Sequence, residues 1–286
     1  MPSNFKSMKI GILWTSAEKI LVYGITFFQS IILARLLCPK DFGLCAMTGI
    51  FLGVGGMISD FGLSTVLVVK EGLSRRSERH TFFWNVSVAV GLCGFMIIFA
   101  PFISKWFNEP ALQPLLRVLS FSIVINSAGI VAVARLNRMQ QFARLSWMNG
   151  FACIASSMIG IALAYVGYGV WSIVYMMLAM SIMRTALSWF WSVGLPTGKL
   201  NEGTDGSETS SLRALLTDGW KLTVSGMIST AYYNFFHVII GKLWSPASVG
   251  LFIRGQRWAQ IPGEVMNEAI SRVALPNLAG RISTAY

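Results

Sequence analysis

The sequence predicts an all-α fold: a polytopic helical membrane protein of about eight transmembrane helices, one six-helix bundle plus the first two helices of a second repeat. Three observations carry this expectation. The 286 residues are 54% hydrophobic and only 12% charged, with a mean hydropathy of +0.61; a soluble domain carries about 25% charged residues. The apolar residues gather into long runs, and about 20 such residues cross a hydrocarbon core roughly 30 Å thick. One stretch also occurs twice. Residues 34–44, ARLLCPKDFGL, return 207 positions later as 241–251, GKLWSPASVGL. Arg35 answers Lys242, Pro39 answers Pro246, Gly43 answers Gly250 and Leu44 answers Leu251. Each copy reads as an apolar helix with a basic end, a proline turn and a second apolar helix, the self-similarity expected of a duplicated fold.

In chain order the expected spans are 10–37, 42–69, 81–104, 112–134, 145–166, 168–194, 217–243 and 249–274. They must be helices, because lipid satisfies no backbone hydrogen bonds and barrel strands would alternate polar with apolar residues. The first run is too long for a signal-peptide core and lacks a small-x-small cleavage site. Turns are expected at 38–41, 71–80, 107–110, 135–144 and 167–169. The polar, Gly/Ser-rich stretch 199–211, KLNEGTDGSETSS, reads as a linker. It divides a first six-helix bundle (1–198) from the two opening helices of a second (212–286). Six spans separate the two copies of the repeated motif, so both copies have the same orientation, as in transporters whose halves are related by an axis along the membrane normal.

Fourteen Lys and Arg side chains fall at the ends shared with the N-terminus and seven at the opposite ends. The excess predicts a cytoplasmic N-terminus. The net charge of +11 is scattered between apolar runs and forms no nucleic-acid-binding face. Cys38, Cys45, Cys93 and Cys153 have no CxxC spacing, and His80 and His237 have no ligand-spaced partners. Neither a disulfide framework nor a metal site is expected, and no cofactor is implied.

Ionisable groups within apolar spans are costly and usually face a bundle interior or a watery cavity. Lys19 lies 20 residues before Pro39 and Asp60 lies 21 after it, so a hairpin folded at the proline brings them to one depth. Asn126 and Arg184 lie about 14 Å from the cytoplasmic ends of their helices at 1.5 Å per residue. Lys19 is expected to pair with Asp60, with Arg184 sharing the cavity; a purely structural ion pair is an equally open reading. Arg35, Arg117, Arg254 and Arg257 lie near outer ends. Each singly is read as snorkelling to headgroups, and together they could line a vestibule for a phosphorylated ligand. Glu264, Glu268 and Arg272 share one helical face, where an ordinary i, i+4 bond is expected. The Asp-Phe-Gly triplets at 41–43 and 60–62 lack the other kinase elements. There is no nucleophile-base set, Walker A motif or acidic metal motif, so the chain reads as one that moves a substrate rather than an enzyme.

The blocks ARLLCPKDFGLCAM, SDFGLSTVLV, GYGVWSIV, VIIGKLWSPASVGL and IPGEVMNEAISRVALPNL resemble the polysaccharide flippases of bacterial envelopes. These belong to the multidrug/oligosaccharidyl-lipid/polysaccharide exporter superfamily, and the colanic-acid type lipopolysaccharide exporters resemble the chain most. The resemblance implies two six-helix bundles around a central cavity, alternating access, and residence in the bacterial inner membrane. The implied substrate is a saccharide on an undecaprenyl pyrophosphate carrier; membrane lipids and other polysaccharide-assembly proteins are the implied partners. Lys19, Arg35 and Arg184 suit the pyrophosphate by type and place, and Asp60 and Asn126 complete the candidate cavity. Family members usually have twelve or more helices, so the chain is expected to be a first bundle with a stub, active or a non-functional remnant. Where many relatives carry an aspartate, this chain has Phe236 followed by His237. A polymerase or ligase acting on lipid-linked sugars would need a large outer loop, which is missing. A multidrug exporter would offer carboxylates to cationic drugs, whereas the membrane charges here are mostly basic.

Overall fold

A computed structural model describes residues 3–64, 67, 75–139, 141–193, 223–228, 235–256 and 259. Six long helices run through the described residues: α1 (Ser3–Leu36), α2 (Pro39–Asp60), α3 (Arg75–Phe107), α4 (Leu112–Arg138), α5 (Phe142–Tyr165) and α6 (Val170–Val193). Each contains a stretch long and apolar enough to cross a membrane. Helical segments 223–228, 235–243 and 246–256 follow. The expected seventh and eighth spans lie only partly within the described residues, and the linker 199–211 lies outside them.

The turns show why the helices stop where they do. Cys38 is extended (φ −73°, ψ 150°), Pro39 begins α2 where a missing N–H is harmless, and the Asp41 carboxylate accepts the Cys38 N–H at 3.1 Å. Between α3 and α4, Asn108 takes φ 57° and the Ser104 hydroxyl donates to the Glu109 carbonyl at 2.9 Å. Gly167 and Gly169 (φ 90° and 55°) make the α5–α6 turn, a conformation open to glycine at no steric cost.

Three expectations need correction. The span expected over 42–69 is broken: Phe61 and Gly62 have φ 47° and 67°, and helix resumes at residues 63, 64 and 67. The Asp60 carboxylate caps the resumed segment, accepting the Ser64 N–H at 3.0 Å and its hydroxyl at 2.6 Å. The turn expected over 71–80 is already helical from Arg75, because Glu78 is held by α4. Arg135–Arg138 likewise stay in α4 for the same ion pairs, and the helix ends at Met139.

The helices are not packed in chain order. α1 lies on α5, α5 on α6, α6 on α4, and α4 carries both α3 and α2. Close approach is set by small residues, the usual basis of helix association in lipid, where apolar burial gives no drive. A Cβ at Gly129 would stand 2.9 Å from Thr185 Oγ1, and one at Gly160 would stand 2.7 Å from Met176 Sδ and 2.9 Å from its Cβ. The largest core joins Leu33, Leu37, Leu44, Met47, Leu112, Leu115, Leu116, Leu119, Val174 and Val249. Gly160→Val is expected to lower stability by about 1–3 kcal/mol through overpacking, read as an earlier thermal transition in detergent.

Candidate functional site

The two copies of the repeated motif meet. A Cβ at Gly43 would overlap the carbonyl oxygen of Pro246, and one at Gly250 would overlap the carbonyl oxygen of Pro39 while standing 3.0 Å from Gly43 N. Pro39 and Pro246 are equivalent under the 207-residue repeat, as are Gly43 and Gly250. The contact is therefore reciprocal: the first residue of each helix sits on the glycine one turn into the other, the pattern a two-fold axis between them produces. Glycine is required twice, because any side chain would push the backbones apart.

Around this contact the basic residues are engaged. The Arg254 guanidinium carbon lies 3.7 Å from the centroid of the Phe42 ring, a cation–π arrangement. The Lys242 ammonium bonds the Trp106 carbonyl at the end of α3 and lies 5.2 Å from the Trp106 ring centroid. Lys40 reaches Glu109 at 3.1 Å. Val249 is fully buried against the main core. Arg257 lies outside the residues whose side chains are described, as do Glu264, Glu268 and Arg272, and Arg117 is exposed on α4.

Away from that end, polar side chains tie α1 to α5. The Glu18 carboxylate accepts from the Ser146 hydroxyl at 2.8 Å and from Asn149 Nδ2 at 2.7 Å. Eleven residues on, Gln29 accepts from the Ser157 hydroxyl at 2.5 Å and donates to Met176 Sδ at 2.9 Å. α4 and α6 are joined by Thr185 donating to the Ile125 carbonyl (2.9 Å) and Trp189 Nε1 donating to the Ala128 carbonyl (2.9 Å). At the end carrying the N-terminus of α3, Glu78 is buried and bidentate, bound by Arg135 at 2.6 Å and Arg138 at 2.7 Å. Glu18→Ala strands two polar partners and should cost about 1–3 kcal/mol, measured by thermal unfolding.

The expected cavity residues fall as follows. Lys19 is exposed on α1 one residue from the Glu18 cluster, Arg35 is exposed in the last turn of α1, and Asn126 and Arg184 are exposed on α4 and α6. Asn126 and Arg184 flank the Thr185–Ile125 bond, so the structure brings these two to one level. α1 and α2 diverge from their shared turn, α1 towards α5 and α2 towards α4, and the Asp60 carboxylate is occupied by Ser64. Counting from Pro39 gave depth but not lateral position. Glu18 and the Glu78–Arg135–Arg138 cluster were missed; a carboxylate beside Lys19, and one acid within a basic inner end, were the available signals.

Six helices of this length and apolarity among the described residues define a polytopic helical membrane protein. Residues 32–283 match the family described as "Polysaccharide biosynthesis protein". The chain belongs to that family. It is 24% identical over 278 residues to the succinoglycan biosynthesis transport protein ExoT of Rhizobium meliloti (strain 1021), covering 96% of this chain and 54% of the relative. It is 22% identical over 270 residues to the lipopolysaccharide biosynthesis protein WzxC of Escherichia coli (strain K12), covering 94% and 54%. Against the teichuronic acid biosynthesis protein TuaB of Bacillus subtilis (strain 168) it is 22% identical over 287 residues, covering 98% and 57%. The chain thus spans about half the length of these relatives. No solved structure matches it.

Proposed function

We propose that the chain is an inner-membrane exporter, or the part of one, that flips a lipid-linked oligosaccharide for envelope polysaccharide biosynthesis by alternating access. The observation that carries this is the reciprocal Pro39–Gly250 and Gly43–Pro246 contact. An exporter of two like halves needs a seal at one face that forms and separates as the halves rock. Two glycines that allow backbone contact suit such a seal. With the N-terminus cytoplasmic, as the Lys and Arg distribution favours, the seal lies at the outer face and the described state is closed outward.

Lys19, Arg35 and Arg184 are exposed on the helices and offer cations to a pyrophosphate, and Asn126 offers an amide to sugar hydroxyls. Asp60, engaged by Ser64, contributes to the fold of α2. The names of two relatives, a transport protein and a lipopolysaccharide biosynthesis protein, accord with a polysaccharide substrate. The test is expression of this chain in a strain lacking its own exporter, with protein quantified in the membrane. Restored polymer at the cell surface, lost on replacing Lys19 and Arg184 together by Gln, is the expected result. Good expression without rescue would favour a non-functional remnant, and rescue indifferent to both replacements would remove these residues from the substrate path.

A further inference from the structure

The break in α2 lies inside the bundle, not at its edge. Gly55 faces Ile123 and Met96: its Cβ would stand 2.8 Å from Ile123 Cδ1 and 3.8 Å from Met96 Cε. Ala89, Met96 and Ile123 form one apolar cluster between α2, α3 and α4. One helical turn towards the N-terminal end of α3, each helix presents a polar residue on the same face: Ser59 four after Gly55, Asn85 four before Ala89, and Ser127 four after Ile123. They are 1%, 0% and 1% exposed. Ser59 Oγ, Asn85 Nδ2, Asn85 Oδ1 and Ser127 Oγ are all buried without a hydrogen-bond partner. Beyond this layer, Leu67 packs against Val131 and Ala134, so the resumed α2 segment still runs beside α4.

Four orphaned polar atoms in one layer are costly in a bilayer interior, where each unsatisfied group costs several kcal/mol. Ser and Thr in such helices commonly return their hydroxyls to a carbonyl one turn back, as Ser120 and Thr48 do here. Ser59 and Ser127 do not. The break adds to the demand, because Phe61 and Gly62 leave the helical path immediately after Ser59 and interrupt the backbone ladder.

We propose that this layer is a built water site: ordered water held by Ser59, Asn85 and Ser127 at the break of α2. The donor set chooses the ligand. An alkali cation would satisfy the three oxygens but would be repelled by Asn85 Nδ2, which is orphaned as well. Water accepts from that amide and donates to the oxygens, and a buried water typically makes about three such bonds. Charge points the same way. Glu78 is already outnumbered by Arg135 and Arg138 at the end of the same seam, and Asp60 is bound to Ser64. The consequence is mechanical. The half of α2 that carries Pro39 and Gly43 lies in the apolar core with Leu115 and Leu119, whereas its other end is held through exchangeable water. The break is a hydrated hinge for the helix that makes the reciprocal contact.

The test is X-ray hydroxyl-radical labelling of the full chain in lipid nanodiscs, using 18O-water and reading oxidation at Met96, which is buried from bulk solvent. Rapid labelling of Met96 is expected, falling severalfold in Ser59→Ala/Asn85→Leu/Ser127→Ala. The milder Ser59→Ala/Ser127→Ala variant, which keeps Asn85, should give an intermediate rate and guards against loss of the fold. Equal labelling in wild type and a folded variant, or an unlabelled Met96 in the wild type, would overturn the water site. So would a thermal transition that rises in sodium over choline and loses that rise in the triple variant, because a cation would then be the ligand.

Discussion

Gly43→Leu and Gly250→Leu, each alone, are expected to abolish surface polymer in a rescued exporter-deficient strain while leaving the protein in the membrane. The reason is geometric. At both positions even a Cβ overlaps a proline carbonyl across the contact, and neither clashing atom belongs to a flexible side chain that could swing away. A four-carbon side chain would hold the two turns apart by several ångströms, so the closed state would lose its seal. The clash falls between the two turns, whereas the packing of α2 on α4 beyond Met47 is untouched, so folding should be affected less than closure. Gly49→Leu is the matched control: its Cβ meets nothing within 4 Å, and it should retain function. If both variants at the contact rescue as well as the control does, the contact is not a seal.

Glu78→Ala should be the most destabilising single replacement of a charged residue in the first bundle. It removes the one carboxylate that neutralises two guanidinium groups, both largely buried, and Arg135 Nε is already without a partner. Breaking a buried pair by deleting one partner costs about 3–5 kcal/mol, because the remaining charge stays uncompensated. The expected reading is a clear fall in the unfolding midpoint in detergent, partly restored when Arg138 is also replaced by Met. A midpoint unchanged in Glu78→Ala would show that water already solvates the cluster.

Much of this architecture was legible in the sequence. Apolar run length gave the six long helices within a few residues at most ends, because span length is fixed by bilayer thickness and is nearly independent of packing. The repeated motif was legible, and the Pro and Gly that recur at 39, 43, 246 and 250 are those the reciprocal contact requires, but nothing in the repeat said that its copies meet. Lateral order was not legible. Apolar faces in lipid resemble one another, so nothing local told α1 to lie on α5 rather than on α2, and the Lys19–Asp60 expectation rested on depth alone. The break at Phe61 was hidden because phenylalanine carries no left-handed signal; only Gly62 beside it hinted at one. Asn85 was hidden differently, as a lone amide whose importance lies in two serines on other helices.

The account rests on the reciprocal contact being a closed gate that must open in each transport cycle. The direct measurement is a lock. With the native cysteines replaced, cysteines at 42 and 254, whose side chains now stack, are joined by a short thiol-cleavable cross-linker in cells expressing the protein. The account predicts efficient cross-linking, loss of surface polymer while the link holds, and recovery after reduction. Transport that continues undiminished with the link intact would contradict it.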